Sequence, residues 1–320
     1  LKLKLVLKDA VEMEMKACQR CLCKKKYRLK GAAILHFPEA KEIKTQVPLF
    51  LSVRILNCSI PLHKIREIQE IVNRYFIEIS YNGANYSGWQ IQENAISVQE
   101  ILQNTARMVL RNPEIEITGS SRTDAGVHAV AQIASLDFEP GDSLENLVFK
   151  WNAALPSDIA VNRLFRVQPG VSARFDAEFR QYRYVISTRR DPFYEGRALY
   201  HYGSLDIELL QACADLIKEN RNFQAFCKVK TEVKHFDCIV EMAQWKEENH
   251  LLLFEIRANR FLRGMVRGLV GTMLDVGKGK ISLSAFESVL KSKDRKKAGE
   301  NAAACGLYLM EVGYPPSVLF

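Results

Sequence analysis

Between residues 74 and 313 the spacing of apolar residues alternates between a period of two and a period of 3.6, and the same order then recurs. "RYFIEISYNG" alternates at Tyr75, Ile77, Ile79 and Tyr81 and stops at Gly83, as a strand does. Ser97 and Glu100 form a capping box, and Val98, Ile101, Leu102, Val109 and Leu110 keep helical spacing up to Pro113. "EIEIT" and "AVAQIASLDF" read as strands, "SLENLVFKWNAAL" as a helix and "DIAVNRLFRV" as a strand. The second set runs "FRQYRYVIS", "LDIELLQACADLIKE", "CIVEMAQW", "HLLLFEIRA", "FLRGMVRGLVGTML" and "LYLMEVG", with one extra helix near "SAFESVLK". Two βαββαβ units in tandem predict an α+β fold of two ferredoxin-like halves, residues 71–170 and 171–320. The sheets are expected to be mixed and mostly antiparallel, with helices on one face and the active-site cleft between the halves.

Residues 1–70 read differently. They are rich in Leu and Lys, keep neither period, and predict a basic, irregular extension. The chain opens on Leu1, so this end reads as a fragment edge or as sequence upstream of a true start near Val72. "CQRCLC" with His36 resembles a zinc cluster, but a zinc ribbon needs a second CxxC and none is present. The eight cysteines are not spaced as a disulfide framework, and reduced thiols are expected. No run of 18 or more apolar residues predicts a membrane span, and a cytoplasmic location is expected.

The net charge of +8 suggests a nucleic-acid partner until its location is considered. Residues 1–70 hold 15 Lys and Arg against 7 Asp and Glu, and the other 250 residues hold 30 of each. A polyanion bound by the larger part therefore requires a locally basic face. Arg180, Arg183, Arg189, Arg190, Arg257, Arg260 and Arg263 are candidates for it, interleaved with Tyr182, Tyr184 and Phe261. Several of these arginines equally fit a solvated surface.

"GSSRTDAGVHA", residues 119–129, places Arg122 and Asp124 two apart among small residues between strands. A neighbouring guanidinium favours an ionised carboxylate, available as nucleophile or general base. Spacing alone equally describes an ordinary loop salt bridge, with Gly126 supplying the turn. The stretch resembles the GxGRTDxGVHA motif of the tRNA pseudouridine synthase A family. "YNGANYSGWQ", "SVQE", "ARFDA", "RQYRY", "FLRGMVRGLVGTMLDVGKG" and "GLYLMEV" follow in the family's order, over about residues 74–315. Residues 1–70 match nothing in it.

The resemblance implies isomerisation of uridine to pseudouridine at positions 38, 39 and 40 of tRNA, with no metal or organic cofactor, by a homodimer across which the tRNA lies. Asp124 takes the place of the catalytic aspartate. Arg122 is expected to pair with it and to fill the gap left by the flipped base. Tyr182 matches the active-site aromatic that packs on the uracil, and Arg267 matches an arginine near the aspartate. Arg174 is a candidate phosphate contact. His128 is expected to be structural, and Gly264, Gly268 and Gly271 are expected to permit helix packing. Ser121 stands where the family commonly has Gly; if a positive φ is required there, the cost is about 1 kcal/mol. Two other readings remain: a non-catalytic RNA-binding or tRNA-folding protein on the same scaffold, and a pseudouridine synthase acting on another RNA.

Overall fold

The computed structural model describes residues 54–55, 58–59, 73–228 and 235–320. The chain divides into two compact units, Leu1–Glu67 and Ile68–Phe320. In the first, β1 (Arg54–Ile55) pairs antiparallel with β2 (Cys58–Ser59). "CQRCLC" and His36 lie outside the described residues.

The second unit is α+β. Its sheet comprises β3 (Arg74–Tyr81), β4 (Thr118–Gly119), β5 (His128–Asp137), β6 (Ile159–Val167), β7 (Phe179–Ser187), β8 (Leu199–Tyr200), β9 (Val240–Glu248), β10 (Leu251–Ala258) and β11 (Leu307–Gly313). Five helices accompany it among the described residues: α1 (Val98–Leu110), α2 (Leu144–Ala154), α3 (Ile207–Glu219), α4 (Met265–Gly277) and α5 (Leu283–Ser292). The strand order is β6-β3-β5-β11-β7-β10-β9, with β4 on β5 and β8 on β7. Every ladder of this sheet is antiparallel except β5 with β11 and β7 with β8.

Alternation along β7 explains how the core forms. Tyr182, Tyr184 and Ile186 face one side and are buried, and their cross-strand partners Ile256, Phe254 and Leu252 on β10 are buried with them. The sheet is weakest at its centre. β11 pairs with β5 only at Tyr308–Leu309 against His128–Ala129, while the far end of the same β5 edge is taken by β4. The strands therefore fork, and the loop between β4 and β5 occupies the fork.

Two elements differ from the sequence expectation. Of "EIEIT" only Thr118 enters a strand, β4, because side chains of α1 take the backbone groups before it: Arg107 Nε donates to Ile115 O at 3.0 Å, Gln99 Nε2 donates to Ile117 O at 2.7 Å, and Gln103 Oε1 accepts from Ile117 N at 2.9 Å. α4 begins at Met265 and not at Phe261, since Gly264 adopts the left-handed φ of 75° at its N-cap. No helix among the described residues is long and apolar enough to cross a membrane.

α4 is held from its glycine side. Thr272 Oγ1 accepts from Gly299 N at 3.0 Å, and Ala302 N donates to Arg267 O at 2.9 Å, so residues 299–302 lie along the helix. A Cβ at Gly271 would stand 1.8 Å from Glu300 O, a backbone atom with little room to yield. Gly271 serves close packing, as expected, and Gly268 is also tightly approached, whereas Gly264 serves its positive φ and not packing. Gly271→Ala should lower the unfolding free energy by about 1–3 kcal/mol, measured by denaturant titration; an unchanged midpoint would contradict this packing.

Candidate active site

Two loops meet at the fork. Trp89 N donates to Thr123 O at 3.1 Å, Gly126 N donates to Tyr86 O at 3.2 Å, and the Tyr81 hydroxyl lies 2.8 Å from Thr123 Oγ1. Gly88 has φ 98°, and a Cβ there would come within 2.5 Å of Thr123 O. The "YNGANYSGW" loop thus backs the "SRTDAGV" loop at main-chain contact distance. With Thr123 buried between them, Arg122 and Asp124 both line an open cleft of about 1810 Å³. That exceeds the ~300–1,000 Å³ of a small-molecule pocket and fits a macromolecular substrate. Among the described residues its lining carries seven arginines and Lys228 against two carboxylates, Asp124 and Glu178. A locally basic face therefore exists despite the neutral total.

Asp124 is partly buried, and its ion pairs are not with Arg122. Arg267 Nη1 stands 3.5 Å from Oδ2, and Arg263 Nε stands 3.7 Å from Oδ1. Arg122 is exposed and forms no ion pair or hydrogen bond among the described residues. The expected pairing is thereby corrected: Arg122 and Asp124 both line the cleft, but the cations facing the carboxylate are Arg263, just before α4, and Arg267 in its first turn. Both distances exceed the ~2.7–2.9 Å of a charge-assisted hydrogen bond, so the carboxylate lone pairs remain open towards the cleft. Arg267 is aimed by a second contact, Nε donating to Ala302 O at 2.7 Å.

Tyr182 lines the same cleft, its ring edge-on to Phe261 with centroids 5.0 Å apart. Burial pushes its phenol up from the ordinary value, with Asp124 adding to the shift while a Ser121 hydrogen bond and Arg180 oppose it. Arg174 is an exposed residue on the rim. Burial, and then the like charges of Arg122 and Arg260, lower its pKa. Ser121 is not among the residues of positive φ, so serine there carries no left-handed strain.

The seven arginines proposed for the basic face divide. Arg260 and Arg263 line the cleft. Arg183 is engaged by Glu255 at 2.6 Å, and Arg257 by Gln181 and Glu311. Arg189 and Arg190 are not part of the cleft lining. Arg180 is only 9% exposed and does not offer its charge to solvent. Its guanidinium donates to the carbonyls of Ala177 at 3.0 Å, Asn259 at 3.1 Å, Ser120 at 3.4 Å and Arg174. Tyr184 is fully buried and donates to Ala303 O at 2.8 Å. The roles of Arg180 and Arg263 were missed in the sequence. Arg263 and Arg267 are four apart, and Gly264 starts the helix after Arg263, so their convergence on Asp124 comes from the turn before α4 and not from a shared helix face.

His128 is 2% exposed and has both ring nitrogens engaged: Nδ1 accepts from Gly83 N at 3.1 Å, and Nε2 lies 3.1 Å from Cys305 O. The first contact requires an unprotonated Nδ1, so Nε2 carries the hydrogen and the ring is neutral. Burial pushes its pKa down. Among the described residues no cluster of three or more His, Cys, Asp or Glu is placed to hold a metal. Because the folded pKa of His128 lies below the unfolded value of ~6.5, its contribution to stability is complete above that pH and is lost as pH falls towards the folded value. The melting temperature should therefore drop on acidification below pH ~6.5, and His128→Gln should flatten that slope; parallel slopes would contradict the assignment.

The sequence model of a family described as tRNA pseudouridine synthase matches residues 78–176 and 220–315. Those spans include Arg122, Asp124, Arg174, Arg263 and Arg267, and Tyr182 lies between them. The tRNA pseudouridine synthase A of Parabacteroides distasonis is 42% identical over 245 residues, covering 76% of this chain and 97% of its own. That of Bacteroides thetaiotaomicron is 42% identical over 250 residues, covering 77% and 93%. That of Porphyromonas gingivalis is 41% identical over 246 residues, covering 76% and 97%. With its cleft residues inside or between the matched spans, the chain belongs to the tRNA pseudouridine synthase family, a family of isomerases.

Proposed function

We propose that the protein converts uridine to pseudouridine at positions 38, 39 and 40 in the anticodon stem-loop of tRNA, with Asp124 as the catalytic carboxylate. The observation that carries this reading is Asp124 itself: a partly buried carboxylate in a basic cleft, faced by Arg263 and Arg267 and accepting no protein hydrogen bond among the described residues. The bond from ribose C1′ to uracil N1 breaks, the base turns, C1′ joins C5, and the C5 hydrogen is replaced by one on N1. Atoms and electrons balance within the nucleotide, so no co-substrate is required. A carboxylate serves this exchange by attacking uracil C6 or ribose C1′, or by assisting elimination to a glycal.

A stem uridine must leave the helix to reach Asp124. Arg122, exposed beside it, is suited to the vacated space because a guanidinium is planar, charged and able to stack. Tyr182 packs on the uracil, and Arg174 meets a phosphate. Two strand orders support a reading as ferredoxin-like halves meeting near residues 168–178: β6-β3-β5 with β4, and β11-β7-β10-β9, each with its last strand beside its first. We further propose a cytoplasmic homodimer, on the family resemblance.

Purified protein should convert an unmodified tRNA transcript at positions 38–40. Asp124→Asn should bind it equally and lose more than about a thousandfold in rate. In light scattering the active species should have twice the 36.5 kDa chain mass. Equal turnover by the variant contradicts the role of Asp124, and binding without product from either protein favours a non-catalytic RNA-binding protein. Product only in another RNA overturns the tRNA assignment, and an active monomer overturns the dimer.

A further inference from the structure

Phe175 is 79% exposed, an unusual setting for a large apolar ring inside a functional cleft. Phe149, Phe193, Tyr202 and Phe320 are also exposed, but among these described aromatics Phe175 is the one that lines the cleft. Its exposure is imposed by the fold. Ala173 before it and Ala177 after it are buried, and Ser172 Oγ accepts from the main-chain N–H groups of both Arg174 and Phe175 at 3.3 Å. Asp176 Oδ2 accepts from Ser172 N at 2.7 Å, and Tyr314 donates to Ala173 O at 2.5 Å. Arg180 bonds the Arg174 carbonyl from within. A turn whose main chain is tied at this many points holds Phe175 at this exposed position.

The chemistry around the ring narrows its partner. The Arg174 guanidinium lies 5.4 Å from the ring centroid, within cation–π range. Arg122 and Arg260 are near enough to Arg174 to act on its charge. A flat apolar surface beside Arg174, in a cleft that Arg122 and Arg260 also line, suits a ligand that joins planar π systems to phosphates, as single-stranded nucleic acid does. An apolar protein surface does not explain the charge, and a free phosphate does not explain the ring.

We propose that Phe175 is a stacking platform for a tRNA base next to the flipped target uridine, whose face is bared when the uridine leaves the stack. This inference rests on the function proposed above and adds a substrate-positioning residue to it. Phe175 touches RNA but not the reacting atoms, so it acts on binding more than on the chemical step.

The test compares Phe175→Ala, Phe175→Leu and Phe175→Tyr with the parent, measuring Kd for an unmodified tRNA transcript and the single-turnover rate at saturation. Ala and Leu should each raise Kd about tenfold, Tyr should restore it to within about twofold, and the saturated rate should stay within about threefold throughout. Melting temperatures should be unchanged, since the ring is exposed. Parent-like Kd in Phe175→Ala overturns the inference and leaves the function intact. Rescue by Leu as complete as by Tyr overturns stacking, since apolar contact would then suffice. A parent that does not bind tRNA overturns both readings. One that binds without product overturns only the catalytic reading, because Kd still reports the stack.

Discussion

A buried guanidinium must have its desolvation compensated by partners that stay in place. Arg180 meets this with four main-chain carbonyls drawn from three parts of the cleft. Ser120 begins the loop that carries Arg122 and Asp124, Arg174 is in the turn that presents Phe175, Ala177 precedes β7 and Tyr182, and Asn259 opens the run leading to Arg260, Arg263 and Arg267. The sheet joins the β5 side, with its Ser120 loop, to the other parts through only two residues of parallel ladder between β5 and β11. Arg180 adds a second tie beyond this short ladder, bonding Ser120 O on one side and the carbonyls of Arg174, Ala177 and Asn259 on the other.

Around this hub the site is built from backbone contacts, which move less than side chains do. Trp89 N and Gly126 N close the two motif loops on each other, and Gly88 permits that approach through its positive φ and its missing Cβ. His128 ties the far end of the loop to Gly83 and Cys305. On the other side, residues 299–302 hold α4 so that Arg267 reaches Asp124 while also donating to Ala302 O. The carboxylate is thus placed by main-chain geometry and faced by cations without being bonded by them. This arrangement leaves its oxygens available to a substrate.

The elements were legible wherever local rules decide them. β7 and β11 follow their alternation, and α1 starts at the serine cap that the sequence shows. Where side chains distant in sequence decide, legibility failed. Glutamines of α1 take the hydrogen bonds that a longer β4 would need, and Gly264 delays α4. At the site, Asp124, Arg122, Tyr182, Arg174 and Arg267 were nameable from their motifs and all line one cleft. The pairing of Asp124 was misread because Arg122 is adjacent in sequence, whereas Arg263 and Arg267 are adjacent only in space. Arg180 looked like a surface cation because its partners are carbonyls, which no residue type encodes.

Placement of Asp124 depends on a buried hub, and Arg180→Lys tests that most directly because it keeps the charge and removes the fork that spans four carbonyls. The measurement is the single-turnover rate of pseudouridine formation at saturating tRNA, alongside Kd and the melting temperature. The expected result is a folded variant whose rate at saturating tRNA falls by about a hundredfold, the cost of misplacing a reacting group by about 1 Å, with a smaller rise in Kd because Arg180 also bonds the turn that carries Arg174 and Phe175. A parent-like rate at saturation would contradict the role of Arg180, and so would a loss confined to binding.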